Sequence, residues 1–216
     1  FRSKTVVSFT NLLQVFYVLK FVICYSMLLV YIENIMHNLK REIFGTKFHF
    51  ESGKLAFRSD GEVYAKAGDT SMLVTVTVDK NKANSDFFPL TVEYVEKMYS
   101  TGKISTNKFV KREKFPNDSA ILKARAIDRS IRPYFPKNFK NPVLIVITLL
   151  SYDEINDPLV LAINAVSVAL QNSSIPFSGP ICAVRIGLKE GKLIENPKID
   201  ALATSELDLL FSGKGE

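Results

Sequence analysis

The residues best suited to chemistry lie in one basic stretch, from Tyr99 to Lys140. It contains 11 Lys and Arg residues against 3 Asp and Glu residues, a local charge of +8, whereas the whole chain carries +6. A basic surface in an otherwise near-neutral protein favours an anionic partner, and nucleic acid is the commonest one. The chemistry that this stretch predicts is therefore the binding of a polyanion.

The first half of the stretch, residues 99–116, has the composition of a loop. It contains the run Lys108-Phe109-Val110-Lys111-Arg112, in which cations lie beside an aromatic ring. Cations neutralise phosphates and aromatic rings stack on unpaired bases, so this combination suits single-stranded nucleic acid. Phe109, Lys111 and Arg112 are therefore candidate nucleic-acid contacts.

The second half of the stretch predicts a helix. Asn117 or Asp118 can cap its beginning, and Pro133 ends it. Apolar residues recur along one side at helical spacing. They are Ile121, Ala124, Ile127 and Ile131. This pattern predicts a helix that packs one face on a core.

Three arginines of this helix, Arg125, Arg129 and Arg132, follow one another at intervals of four and three residues. This spacing places three guanidinium groups along one face, where they could contact a polyanion. An alternative interpretation stays open, because Asp128 can pair with Arg125 or with Arg132. A helix with paired arginines is more often a solvated or interdomain face than a binding site.

Length and composition exclude several classes of site. The 216 residues suffice for one domain, or for one domain and a small part of another, and 47% apolar residues suffice for a core. The two cysteines, Cys24 and Cys182, lie far apart, so we expect no disulfide framework. The two histidines, His37 and His49, have no companion at metal-ligand spacing, so we expect neither a zinc site nor a Ser-His-Asp triad.

The amino-terminal segment differs from the rest of the chain. Leu12–Ile32 is almost entirely apolar and long enough to span a bilayer, but Lys20 lies near its middle, where a charge is costly. A membrane anchor and a mis-assigned leader are two interpretations of this segment.

A targeting segment is the interpretation that we favour. A short apolar core, Phe21–Ile32, follows Arg2, Lys4 and Lys20, as in a signal sequence. We therefore predict a leader over residues 1–41 and expect no membrane association of the mature protein.

The remaining chain, residues 42–216, has the pattern of an α+β domain. Five alternating runs separated by turn residues precede the basic stretch, and we expect four short antiparallel strands there. Two of the runs, Leu55–Arg58 and Glu62–Ala67, predict a hairpin. The other runs are Ile43–Phe50, Ser71–Asp79 and Leu90–Lys97.

After the basic stretch, the apolar run Val143–Tyr152 predicts a strand covered on both faces. Asn156-Asp157-Pro158 then predicts the start of a buried helix over Leu159–Leu170. A hairpin of Ile181–Leu188 with Leu193–Glu195 follows, and a last strand lies near Leu207–Phe211. A strand and turn at the end of the chain indicate a domain whose C-terminal part is missing.

The residues alone reveal no catalytic constellation. The sequence has neither a P-loop nor a GxGxxG motif. Asp153, Glu154 and Asp157 cluster before the predicted buried helix and could hold Mg²⁺, but helix capping explains them more simply.

Several long segments, in the right order, resemble the first RNase PH-type core domain of the polynucleotide phosphorylase family. These segments are GKLAFRSDG (Gly53–Gly61), AGDTSMLVTV (Ala67–Val76), DFFPLTVEY (Asp86–Tyr94), MYSTGKI (Met98–Ile104), IDRSIRPYFP (Ile127–Pro136), NDP (Asn156–Pro158), IPFSGPICAVRIG (Ile175–Gly187) and LDLLFSG (Leu207–Gly213). The resemblance implies an RNase PH-like fold, with a mixed or antiparallel sheet packed against helices.

The resemblance also implies a function. Members of the family form a trimeric ring around a channel and degrade single-stranded RNA from its 3′ end, using phosphate as co-substrate and releasing nucleoside diphosphates. Mg²⁺ assists in a second core domain, which also holds the catalytic and phosphate-binding residues. The resemblance therefore implies no catalytic or metal-binding residue in these 216 residues, and we expect the chain alone to be inactive.

In the family, an FFRR loop of the first domain narrows the RNA channel, and Phe109, Val110, Lys111 and Arg112 occupy its positions here. Val110 lacks one stacking ring, and Lys111 keeps the charge but not the planar fork of arginine. The arginine that follows in the family is replaced by Phe115, so Lys114 is a candidate substitute. The predicted RNA-binding set therefore consists of Phe109, Lys111, Arg112, Lys114, Arg125, Arg129 and Arg132.

Two other functions remain as alternatives. One is a non-catalytic RNase PH-like RNA-binding subunit of an exosome-type ring, and the other is a membrane-anchored structural protein that uses Leu12–Ile32. The leader, together with the lysines at positions where the loop differs from the family, favours an organellar enzyme of a plastid or mitochondrion. Without a functional leader the protein would be cytoplasmic.

Overall fold

The computed structural model describes residues 37–43, 45–83, 87–104 and 116–214. These residues form an α+β domain, as the sequence predicts, and their strands form two sheets. The helices are α1 (Asp118–Ile131), α2 (Pro158–Gln171) and the short α3 (Ile199–Ala203). The strands are β1 (His37–Ile43), β2 (Thr46–Ser52), β3 (Gly61–Ala67), β4 (Thr70–Val78), β5 (Leu90–Glu96), β6 (Val143–Ser151), β7 (Ile181–Lys189), β8 (Lys192–Glu195) and β9 (Leu207–Lys214).

The larger sheet has six strands in the order β1-β2-β3-β4-β6-β5. Its neighbours are antiparallel except for β5 and β6, which run parallel in a register that pairs Leu90 with Val143. The smaller sheet has the order β8-β7-β9 and is antiparallel throughout. The large sheet is therefore mixed.

Helix α2 forms the centre of the core. Asp157 caps its start with a hydrogen bond from Leu159 N, and Pro158 occupies the first turn, where its missing N–H costs nothing. From Val160 to Leu170 every residue is buried. One side of α2 packs on β3 and β4, and another packs on β7, so the helix is covered by both sheets. This arrangement explains why its sequence is apolar nearly all round.

Several predictions for the first half of the chain are wrong. Leu55–Arg58 is not a strand, because the three N–H groups of residues 53–55 all donate to Oε1 of Glu62 rather than to a neighbouring strand. β5 is parallel to its neighbour rather than antiparallel. The described part contains five strands before the basic stretch, not four, because residues 37–52 form the separate strands β1 and β2.

The prediction that β6 is covered on both faces is also wrong. Val143, Ile145 and Ile147 are buried on one face, whereas Leu144, on the other, is 38% exposed. The boundary predicted between residues 41 and 42 falls inside β1. The leader up to residue 36 lies outside the described residues, so that boundary stays a prediction.

The predictions for the second half are closer. The helix at Asn117, the buried helix after Asp157, the β7–β8 hairpin and the last strand are all confirmed. Helix α3 was not predicted, because its five residues are too few to show a period. In the part of the chain that the structure describes, no helix is both long and apolar enough to cross a membrane.

Candidate nucleic-acid interface

The predicted basic helix, α1, lies on β5 at the edge of the larger sheet. Asn117 caps it: its Oδ1 accepts from Ala120 N at 2.6 Å, and its Nδ2 donates to Oε2 of Glu96 at 3.1 Å. Ile127 and Ile131, on the inner face of the helix, are fully buried. Residues of α1 and β5 together line an open groove of about 640 Å³, with Arg125 and Asp128 on the α1 side. The fold therefore presents one side of α1 to solvent.

Arg125 and Arg129 are exposed on this helix. Within the described residues, neither guanidinium has a carboxylate partner. Asp128, which could have neutralised Arg125, pairs instead with Arg132. Arg125 and Arg129 are thus available to an anion, and their role in RNA binding stays a prediction.

Arg132 has a different environment from the other two arginines. Its Nε and Nη2 donate to both carboxylate oxygens of Asp128, at 3.1 and 2.7 Å. Its Nη1 donates to the carbonyl of Phe88 at 3.0 Å, and Nη2 also donates to the carbonyl of Leu90 at 3.2 Å. The guanidinium therefore ties the end of α1 to the start of β5, and any RNA contact would compete with these bonds.

Replacing Arg132 by Ala is expected to lower the free energy of unfolding by about 1–2 kcal/mol, because the helix end and β5 lose four hydrogen bonds at a partly exposed site. Urea unfolding followed by circular dichroism measures this change. The matched control is Arg129→Ala on the same helix, for which we expect a change within about 0.5 kcal/mol. Equal effects of the two substitutions would mean that the bonds of Arg132 contribute no stability.

The other four predicted contacts, Phe109, Lys111, Arg112 and Lys114, lie outside the described residues. The chain leaves the described part at Ile104 and returns at Pro116, next to the cap of α1. Ile104 is 84% exposed. The candidate loop therefore joins the fold at the end where α1 begins, and its contacts with RNA stay a prediction.

An ion pair beside an aromatic ring, which the sequence did not predict, stabilises this end of α1. Lys123 Nζ forms an ion pair with Glu96 and lies 5.2 Å from the ring centre of Tyr94. Burial, followed by the charge of Glu96, raises the pKa of the Tyr94 hydroxyl far above its usual range. Glu96 and Lys123 are separated by 27 residues, so no local pattern could have predicted their pairing.

The acidic cluster before α2 has structural roles. Asp153 accepts hydrogen bonds from Thr70 Oγ1 at 2.8 Å, Ile155 N at 2.8 Å and Asn156 N at 2.9 Å. Burial raises the pKa of Asp153, but these hydrogen bonds outweigh burial and lower its pKa to about 2. This carboxylate is therefore an ionised hydrogen-bond acceptor that joins the β3–β4 turn to the start of α2.

Asp157 has a second partner besides the helix that it caps. Its Oδ2 accepts from Arg185 Nη1 at 2.7 Å, while Asp208 accepts from the other side of the same guanidinium at 2.6 Å. Hydrogen bonds from Arg185 are the main cause that lowers the pKa of Asp208. The arginine thus joins α2, β7 and β9. Within the described ranges, no three His, Cys, Asp or Glu side chains converge as a metal site.

Comparisons with known proteins agree with the resemblance seen in the motifs. Residues 46–176 match the family described as 3′ exoribonuclease family, domain 1. The polyribonucleotide nucleotidyltransferases of Roseiflexus sp. (strain RS-1) and Chloroflexus aggregans are 45% and 48% identical over 182 residues, which is 84% of this chain. The chain spans about a quarter, 24%, of the length of these curated relatives.

A solved structure has the same fold. It is described as the Archaeoglobus fulgidus exosome with RNA bound to the active site, and it matches with a TM-score of 0.59 and 14% identity. The match covers 85% of this chain and 74% of that one. At this identity the likeness supports the fold alone. Since the family match covers more than half of the 216 residues, the chain belongs to the 3′ exoribonuclease family as a domain 1.

Proposed function

We propose that this chain is the first RNase PH-type core domain of a polyribonucleotide nucleotidyltransferase. Such an enzyme cleaves RNA from its 3′ end with phosphate as the attacking group and releases nucleoside diphosphates. The observation that carries the proposal is the identity of 45–48% with polyribonucleotide nucleotidyltransferases over 182 residues. An unrelated RNA-binding module would not share so long a segment.

The role of this domain is to guide single-stranded RNA rather than to cleave it. Exposed Arg125 and Arg129, with no carboxylate partner among the described residues, support this role. So does the local charge of +8 over residues 99–140, which includes the predicted loop. Phe109, Lys111, Arg112 and Lys114 are proposed to contact RNA from that loop.

The chemical step is proposed to take place in a second core domain, with Mg²⁺ stabilising charge on the phosphate. Among the described residues, the two carboxylates of the acidic cluster do not fit the ion: Asp153 is committed to backbone and side-chain donors, and Asp157 to a helix cap and Arg185. No step of the reaction is therefore assigned to them.

A trimeric ring and an organellar location are two further parts of the proposal. The trimer is inferred from the family resemblance, and the mass of the assembled protein by light scattering tests it. The location is inferred from the apolar, basic segment of residues 1–41. Fusing this segment to a fluorescent protein should direct the fusion to a plastid or mitochondrion, whereas a diffuse cytoplasmic signal would contradict the proposal.

The decisive experiment is the phosphate-dependent release of nucleoside diphosphates from single-stranded RNA. It compares the 216-residue chain with a protein extended by a second core domain. We expect activity in the extended protein only. RNA binding without activity in both would favour a non-catalytic exosome-type subunit, and activity in the chain alone would mean that its own carboxylates act in catalysis.

Replacing Lys111 and Arg112 together by Ala is expected to weaken binding of oligouridylate by about tenfold or more. If each cation neutralises one phosphate, the slope of log affinity against log salt should fall by about 1.4, because single strands release about 0.7 counterion per contact. Fluorescence anisotropy across a salt series measures both quantities.

The matched control removes two exposed lysines elsewhere, Lys47 and Lys198. It lowers the net charge equally, so it should leave the slope nearly unchanged. An unchanged slope in the Lys111 and Arg112 variant would exclude these residues from the RNA path.

A further inference from the structure

A second basic surface lies on two loops at one end of the larger sheet. The first loop follows β4 and is described over residues 79–83, and the second precedes β6 over residues 136–142. Each loop carries two exposed lysines, and we call these four residues the lysine patch. They are Lys80, Lys82, Lys137 and Lys140.

Hydrogen bonds hold the two loops together. Ala83 N donates to the carbonyl of Lys140 at 3.0 Å, and Asn141 Nδ2 donates to the carbonyl of Lys80 at 3.2 Å. The adjoining strands β4 and β6 are paired up to Val78 and Val143. The four lysines therefore start from a shared and fixed backbone.

Aromatic packing anchors the second loop as well. Phe139 lies between Lys137 and Lys140, and its ring centre is 5.7 Å from that of Phe88 and 6.4 Å from that of Phe135. The lysines of this loop are therefore attached to a backbone that packs on the protein. A preorganised set of charges loses less conformational entropy when an anion binds.

The described part of the protein contains no carboxylate that pairs with the lysine patch. Asp79 is the single carboxylate of the two loops as described, and its Oδ1 accepts from Asn81 N at 2.9 Å. The two loops together carry +3, or +2 if Asp86 from the adjoining sequence is included.

An exposed aromatic ring lies at the same end of the sheet. Phe57 is 79% exposed, and exposed Arg58 follows it. Asp60 fixes their loop to the end of β4, because its Oδ2 accepts from Val78 N at 2.7 Å. A water-exposed ring beside cations is the arrangement on which an unpaired base stacks.

This surface is separate from the described residues that flank the predicted RNA loop, residues 105–115. The lysine patch lies where β5 begins at Leu90, whereas the residues on either side of that loop lie near Glu96, where β5 ends. Six residue steps of a strand separate the two ends by about 20 Å. The lysine patch and the residues that flank the predicted RNA loop therefore lie at different ends of β5.

We propose that the lysine patch binds backbone phosphates of single-stranded RNA while Phe57 stacks on an unpaired base. The inference rests on the proposed function in that it takes RNA as the ligand. It adds a second contact surface at the opposite end of the sheet, so that one strand of RNA is held at two places on this domain.

The test replaces all four lysines of the patch by Gln in the 216-residue chain and measures oligouridylate binding across a salt series. We expect affinity to fall by at least tenfold and the salt slope to fall by up to about 2.8. The matched control replaces four other exposed lysines, Lys47, Lys189, Lys192 and Lys198, and removes the same charge. Equal losses in both variants would overturn the proposal, because net charge alone would then explain them.

Phe57→Ala tests the stacking step separately. We expect it to weaken oligouridylate binding by about tenfold while heparin, a polyanion without bases, binds as before. An unchanged RNA affinity would overturn the role of Phe57. If the patch variants match their control while Lys111 and Arg112 substitutions still weaken binding, this inference fails and the proposed function stands. If the unaltered chain binds no RNA, the proposed RNA-guiding role fails first.

Discussion

Replacing Asn164 by Ala should lower the free energy of unfolding by about 3 kcal/mol. Asn164 is 5% exposed in the middle of α2. Its Nδ2 donates to the carbonyl of Ala183 at 3.1 Å, and its Oδ1 accepts from the N–H of the same residue at 2.8 Å. Removing the amide leaves two buried backbone groups of β7 without partners, each of which costs about 1–3 kcal/mol.

Urea unfolding of the chain, followed by circular dichroism, measures this loss. The matched control is Asn172→Ala at the end of the same helix, because the Nδ2 of Asn172 has no hydrogen-bond partner in the described part. We expect the control to change stability by less than about 1 kcal/mol. A loss at Asn164 no larger than that of the control would show that β7 finds other partners for Ala183.

The two hydrogen bonds between Asn164 and Ala183 also show how much of the fold the sequence could predict. The apolar pattern around Asn164 predicted that α2 is buried, and a buried amide must find hydrogen-bond partners. The partner lies 19 residues further along, on a strand whose position against α2 depends on the whole fold. Sequence patterns report burial and period but not which surfaces meet.

The direction of β5 could have been predicted from the order of elements along the chain. Alternation of apolar residues is the same in parallel and antiparallel strands, so it could not decide the direction. Parallel neighbours need a long crossover, and α1 lies between β5 and β6 in the sequence. A helix between two strands predicts a parallel pair, which is the arrangement that the structure shows.

The sequence predicted which arginines lie along α1, but not which of them pairs with Asp128. Helical spacing placed Arg125, Arg129 and Arg132 along α1, and the structure places all three on that helix or at its end. The sequence offered Asp128 as a partner for either neighbour. The carbonyls of Phe88 and Leu90, more than 40 residues away, select Arg132. Every residue has a backbone carbonyl, so a sequence pattern does not show which carbonyls a side chain will contact.

Replacing Gly61 by Ala is expected to destabilise the domain by about 3 kcal/mol. Gly61 begins β3 where this strand passes the end of α2. A methyl group there would overlap the carbonyl oxygen of Ala169 and lie 2.9 Å from Cβ of Ser173. The overlapped atom belongs to the helix backbone and cannot rotate away, so β3 and α2 must separate. Overpacking of this kind typically costs about 1–3 kcal/mol, and more when backbone must move.

Gly213→Ala is the matched control, because Gly213 also lies in a strand and a methyl group there meets nothing within 4 Å. It should be neutral or slightly stabilising, since Ala loses less backbone entropy than Gly on folding. Urea unfolding of both variants separates the steric effect from the entropic one. A neutral Gly61→Ala variant would mean that β3 and α2 can move apart freely.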